Sequence, residues 1–266
     1  MDNSRFLECL AADYRRIREV VPGHLAGRVP TCPDWTVAEL TRHLGQVYLH
    51  KVECMREGGL RETDWPPAGL KDEEPVALLD RAYAELVTEL TTRDPSAPGG
   101  TWYPPDPTVS FWFRRMAQES VIHRIDAELG TGAAIAPVPD DLAVDGVDEL
   151  LKVFVGHSVD AWGEYFTDAL AGSPGRTYEI QTTAVADRPS VAWFVRTSPG
   201  HFTVEGGPGE KLTDEPVPDV TVSGTPADLL RWSWNRETPG EPSRVKVDGS
   251  QEALAEFGRC VVIATQ

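Results

Sequence analysis

The sequence is poor in positive charge: 25 Lys and Arg stand against 42 Asp and Glu, a formal net charge of −17. Such an excess leaves little room for the lysine and arginine clusters that pair with phosphates, which argues against a nucleic-acid interface and disfavours an anionic membrane surface. Sulfur is scarce too. The four cysteines, Cys9, Cys32, Cys54 and Cys260, form no C-x-x-C pair and no tight framework, so reduced thiols in a cytoplasmic protein are expected. Long apolar runs are missing, since no stretch approaches the roughly 18 uninterrupted apolar residues of a membrane span. The opening M-D-N-S-R-F-L-E-C-L has neither the basic start nor the apolar run of a signal peptide. What is present, 41% hydrophobic and 25% charged residues over 266 positions, suits one large globular domain or two ordinary ones.

The first half reads as helices. Residues 4–21 place Phe6, Leu7, Leu10, Tyr14, Ile17 and Val21 at helical spacing, and Pro22-Gly23 end the run. T-V-A-E (36–39) is a capping-box pattern, predicting a helix from there to about Glu57, closed by Gly58-Gly59. A third helix is expected over 74–93 and a fourth over 108–129, ending at Gly130. Together they predict a four-helix bundle. The connections 58–74 and 94–107 are long, as functional loops often are. A further helix near 139–169 leads into short alternating runs, T-Y-E-I-Q-T-T, S-V-A-W-F-V-R-T, H-F-T-V-E and D-V-T-V-S, which read as strands. A helix opened by Pro226, a strand S-R-V-K-V-D-G and a last helix close the chain. The expected architecture is a bundle over 1–170 and a smaller α+β domain with a mostly antiparallel sheet over 171–266.

Three polar residues stand out in otherwise core-like helices: His43, Glu119 and His123. Glu119 and His123, four residues apart, sit one above the other on one helix face, about 6 Å apart along the axis. Two imidazoles and one carboxylate form a donor set that leaves a divalent metal an open fourth position. Asp126 joins the same face and can orient an imidazole through its other nitrogen. The competing reading is a solvated helix face and a core histidine bonded to a carbonyl, against which stand the apolar Met116, Val121, Ile122, Ile125 and Leu129 around them. His50 lies about 10 Å beyond His43 along the axis, too far to share one ion, and Glu39 is accounted for by the cap. G-H-S-V-D (156–160) lacks the second glycine of a nucleophile elbow, and G-G-P-G-E-K (206–211) lacks phosphate-loop spacing. Cys32 reads as a structural thiol more readily than as a nucleophile. Arg236, after Trp232 and Trp234, either caps a helix end or grips a substrate carboxylate.

Taken together, V-P-T-C-P-D-W-T-V-A-E-L-T-R-H-L-G (29–45), Q-E-S-V-I-H-R-I-D-A-E-L-G (118–130) and P-A-D-L-L-R-W-S-W-N-R (226–236) resemble the mycothiol-dependent maleylpyruvate isomerase family of actinobacteria, within the DinB-like metal-binding superfamily. The resemblance implies a DinB-like bundle holding a divalent metal, zinc by preference, through His43, Glu119 and His123. It also implies mycothiol as thiol cosubstrate, and a catalytic arginine at Arg236. The family often shows Gly-Arg where this chain has Asn235-Arg236. The expected partners are a small electrophile such as a carboxylate and a low-molecular-weight thiol, with the protein a monomer or weak homodimer. A coordinated thiol loses its proton at neutral pH, and its addition to an acceptor makes the protein an S-transferase or, with an activated cis double bond, an isomerase. A non-enzymatic metal-binding or regulatory protein on the same scaffold, and a hydrolase using metal-activated water, are the alternatives.

Overall fold

A computed structural model of the chain describes residues 1–59, 65–184, 189–210 and 216–265. They divide into two compact units, 1–136 and 137–266.

The first unit is built from four long helices. Helix α1 (Asn3–Val20) opens at Asp2, whose carboxylate accepts the Arg5 amide at 2.8 Å, satisfying one of the end donors that no intrahelical carbonyl reaches. Helix α2 (Val37–Glu57) begins at the predicted capping box: Thr36 Oγ1 accepts the Glu39 amide, and the Glu39 carboxylate accepts the Thr36 amide at 2.6 Å. It ends at Gly58 in the left-handed region, φ 67°. Helix α3 (Pro75–Thr92) starts with proline at its first turn, where a missing N–H costs nothing. Helix α4 (Val109–Thr131) is the core of the unit, with buried residues on every side. It packs on α1 and α2, and α2 packs on α3.

Helix α4 was expected to stop at Gly130, but it continues to Thr131 and turns at Gly132, φ 73°. Gly130 serves a close approach instead. A Cβ there would stand 2.8 Å from Val37 Cγ2 and 3.2 Å from Val29 Cγ2, so the glycine lets the start of α2 and its preceding loop lie against α4.

The second unit begins earlier than the expected boundary at 170. The continuous helix expected over 139–169 is a broken series: α5 (Asp140–Glu149), a π-helical segment (Leu150–Gly156), α6 (His157–Ala161), a 3-10 turn (Gly163–Phe166) and α7 (Thr167–Leu170). These pieces belong to the sheet domain because their apolar faces are buried there. Helix α5 packs on α8 (Pro226–Ser233), and the π segment packs on β3 (His201–Gly206) and α9 (Gln251–Ala264). With β1 (Arg176–Thr182), β2 (Ala192–Ser198), β4 (Val220–Gly224) and β5 (Lys246–Gly249), the sheet has the order β3-β2-β1-β4-β5. All pairings are antiparallel except β1 with β4, where Tyr178 lies opposite Val220. The architecture is the expected helical region followed by an α+β region with a mostly antiparallel sheet.

Candidate metal centre

The first unit brings His43, Glu119 and His123 together from α2 and α4. One ligand-type atom from each lies within 4.8 Å of the other two. His43 Nε2 is 3.6 Å from Glu119 Oε1, and His123 Nε2 is 3.2 Å from the same oxygen. The imidazole rings meet nearly edge to face, 5.1 Å between centroids. Around a tetrahedral zinc with bonds of about 2.0–2.1 Å, ligand atoms stand roughly 3.3 Å apart. The two carboxylate–imidazole separations fall at that spacing, and the donor set is one that binds zinc with a position left open. These residues fit a divalent cation.

Each donor is oriented by neighbours. Asp126, fully buried, accepts from His123 Nδ1 at 3.0 Å through Oδ2. A carboxylate only accepts, so Nδ1 carries the hydrogen and the Nε2 edge is aimed at the cluster. The other Asp126 oxygen accepts the Thr31 hydroxyl at 2.5 Å. On the opposite side, Arg115 pairs with Glu119 Oε2, leaving Oε1 for the imidazoles. Arg115, Glu119, His123 and Asp126 thus form one relay along a single face of α4, each i,i+4 or i,i+3 from the next.

The fields of this relay shift its members. Burial alone would push the Glu119 carboxyl up, but the charges of His123 and Arg115 and hydrogen bonds from both imidazoles hold it well below the usual carboxylate range. Burial alone would push His123 down, yet Glu119 and the hydrogen bond to Asp126 raise it to about 9. Without a cation, therefore, a proton occupies the Nε2 position and donates to Glu119.

A wall on one side comes from the loop before α2. Its Val29 amide donates to the Trp35 carbonyl and its Trp35 amide to the Cys32 carbonyl, while Arg28 bridges Thr36. This tight turn sets the Trp35 indole against His43, 4.7 Å between centroids, and within 6.4 Å of His123. His43 is the most accessible of the three, its side chain 36% exposed.

His50 and Glu39, set aside on spacing and on capping, lie outside the cluster. Glu39 is spent on the cap. His50 faces Lys51 Nζ at 3.0 Å and Trp65. Arg236 lies in the second unit, just after α8, where Nη1 donates to the Trp234 carbonyl at 2.6 Å. The residue before it, Asn235, has φ 55°, a conformation that glycine adopts freely and asparagine tolerates better than other residues. Asparagine for glycine at that point preserves the backbone turn. Arg115, Thr31 and Trp35 were not singled out from the sequence. The R-x-x-x-E spacing of Arg115 to Glu119 was the available signal for the first, whereas the other two act across the fold, where local spacing carries no information.

Comparison with known proteins agrees with this architecture. Residues 7–128 match the description Mycothiol maleylpyruvate isomerase N-terminal domain, and residues 141–256 match MDMPI C-terminal domain. A solved structure, the crystal structure of the mycothiol-dependent maleylpyruvate isomerase, superposes with a TM-score of 0.58 at 14% identity, over 93% of each chain. No curated protein matches the sequence. The two domain matches run through both units of the fold, and the chain belongs to the mycothiol maleylpyruvate isomerase family.

Proposed function

We propose that this protein is a metal-dependent enzyme that activates mycothiol for addition to a small electrophile, as a maleylpyruvate-type cis–trans isomerase or as an S-transferase. The observation that carries the reading is the convergence of His43, Glu119 and His123 on one point in a chain of this family. These three residues would hold the cation, zinc by donor chemistry. A bound divalent cation would lower the pKa of a thiol beside it, so that mycothiol is presented as a thiolate at neutral pH.

The chain's own residues prepare that site. Asp126 fixes the His123 ring, Arg115 fixes Glu119, and Trp35 packs against the His43 ring. For isomerisation, the thiolate sulfur adds to one carbon of an activated cis double bond, and the π electrons move onto the conjugated carbonyl. Rotation about the new single bond and loss of the same thiolate give the trans product. For transfer, the adduct takes up a proton and is released. Arg236 is assigned to a carboxylate of the acceptor, which it would grip and polarise. We place the enzyme in the cytoplasm, where its four cysteines, none of them in a disulfide, remain reduced. Among the described residues, no helix is long and apolar enough to cross a membrane.

The hydrolytic alternative uses a Glu or Asp base beside the cation to activate water. Here Glu119 is engaged by Arg115 and both histidines, and Asp126 by His123 and Thr31. That arrangement favours the thiol reading. The test is metal analysis joined to a mycothiol titration of the cobalt-substituted protein. One cation per chain and a sulfur-to-cobalt charge-transfer band are expected. A metal-free protein, or a spectrum indifferent to thiol, refutes the reading.

A further inference from the structure

About two turns from the metal candidates along the α2–α4 seam sits an ammonium group without a counter-ion among the described residues. Among the described residues Lys51 Nζ has one hydrogen-bond partner, His50 Nδ1 at 3.0 Å, and it lies over the face of the buried Trp112 at 5.1 Å from the ring centroid. Neither partner carries a formal negative charge. Trp112 precedes Glu119 by seven residues on α4, so the ammonium stands on the order of 10 Å from Glu119 along the axis. It is close enough that the charges of Glu119 and Arg115 act on it, while burial, the largest influence, pushes it below the usual lysine range. Arg115 itself is committed to Glu119.

A partly buried lysine of this kind is costly to keep charged, because ring-face attraction and one neutral acceptor do not replace its hydration. The cost is offset when an anion arrives. Two donors of the ammonium remain for that anion among the described residues. A single cation in a strongly acidic protein suits a carboxylate rather than a phosphate, which typically collects several cations or backbone amides.

Resting on the function proposed above, we infer that Lys51 is the bundle's binding residue for a carboxylate of the acceptor, several bonds removed from the carbon that meets the thiol. It would select acidic acceptors over neutral ones of the same shape.

The test uses the full-length, zinc-loaded protein without thiol, titrated calorimetrically with succinate, a non-electrophilic diacid, and with its neutral dimethyl ester. Lys51→Met is expected to weaken succinate binding by about ten- to a hundredfold, the value of a hydrogen bond to a charged group. Lys51→Arg should retain most of it, and ester binding should not change. Lys51→Gln, which keeps a polar tip, serves if the methionine variant does not fold. Absence of saturable succinate binding to the wild type, equal succinate binding by wild type and variant, or equal losses for diacid and ester would each overturn the inference. Failure of the thiol reading shows separately, in the cobalt spectrum, which this titration does not involve.

Discussion

Asp126→Asn separates what charge does at the metal candidate from what shape does. The amide is nearly isosteric: its oxygen can accept from His123 Nδ1, and its NH₂ can donate to the Thr31 oxygen that now donates to Asp126. Fold and ring orientation should persist while the negative charge behind the imidazole disappears. Loss of such a partner typically weakens metal binding by about 10–100-fold, or roughly 1.4–2.7 kcal/mol. A second effect runs the other way. His123 is raised to about 9 in the metal-free protein, in part by Asp126. Below that pH a cation must displace a proton, so wild-type affinity should fall about tenfold per pH unit. Removing the Asp126 charge lowers the His123 pKa and relieves this competition. The deficit of the variant should therefore be full near pH 9 and shrink towards pH 6.5. Competition for zinc against a chromophoric chelator at pH 6.5, 7.5 and 9 measures it. Equal affinities at pH 9, or a wild-type affinity that is flat with pH, would refute the reasoning.

His43→Ala should abolish stoichiometric zinc while shifting the urea midpoint little, since its partly exposed side chain contributes little to the core; retained zinc in metal analysis contradicts the ligand assignment. Arg124→Met should cost about 3–5 kcal/mol by urea denaturation, because Arg124 is 1% exposed and pairs with the buried Asp13 and Glu128. A loss under about 1 kcal/mol would show that the network is not needed for stability. Asn235→Gly should be tolerated, whereas Asn235→Val should destabilise by about 1–2 kcal/mol through its positive φ, read as a lower melting temperature. Arg236→Ala should lower kcat/KM for an acidic acceptor with zinc content unchanged, and an unchanged kcat/KM would remove Arg236 from the site.

Much of the fold lay in local signals. The capping box at Thr36 and Glu39, the proline opening α8 and the alternating strands each appear where spacing placed them. Local signals also misled. Gly130 reads as a helix stop, but its glycine character answers a contact with Val29 and Val37, residues distant in sequence. The helical run after 139 was joined to the bundle because it is helical. Its breakage into α5, a π segment and α6, and its burial against β3, α8 and α9, depend on partners that appear only in the second half. The three candidate ligands were legible as a pair on α4 plus one histidine, but that they converge is a property of how α2 crosses α4. The long connection 58–74 includes residues 60–64, which lie outside the described residues.

The buried charges of α4 reach past its own end. Arg124 Nη1 donates to the Ala136 carbonyl, Arg16 Nη2 donates to the Ala134 carbonyl, and the Ala136 amide donates to Glu128. The strap 133–136 is thus the electrostatic closure of the bundle, although it has no regular structure. A fragment cut at the end of α4 would strip these hydrogen bonds from Arg16, Arg124 and Glu128 and leave the buried charges with their ion pairs alone. A bundle intended to fold alone should be expressed through Ala136, four residues of apparent linker that its core cannot do without.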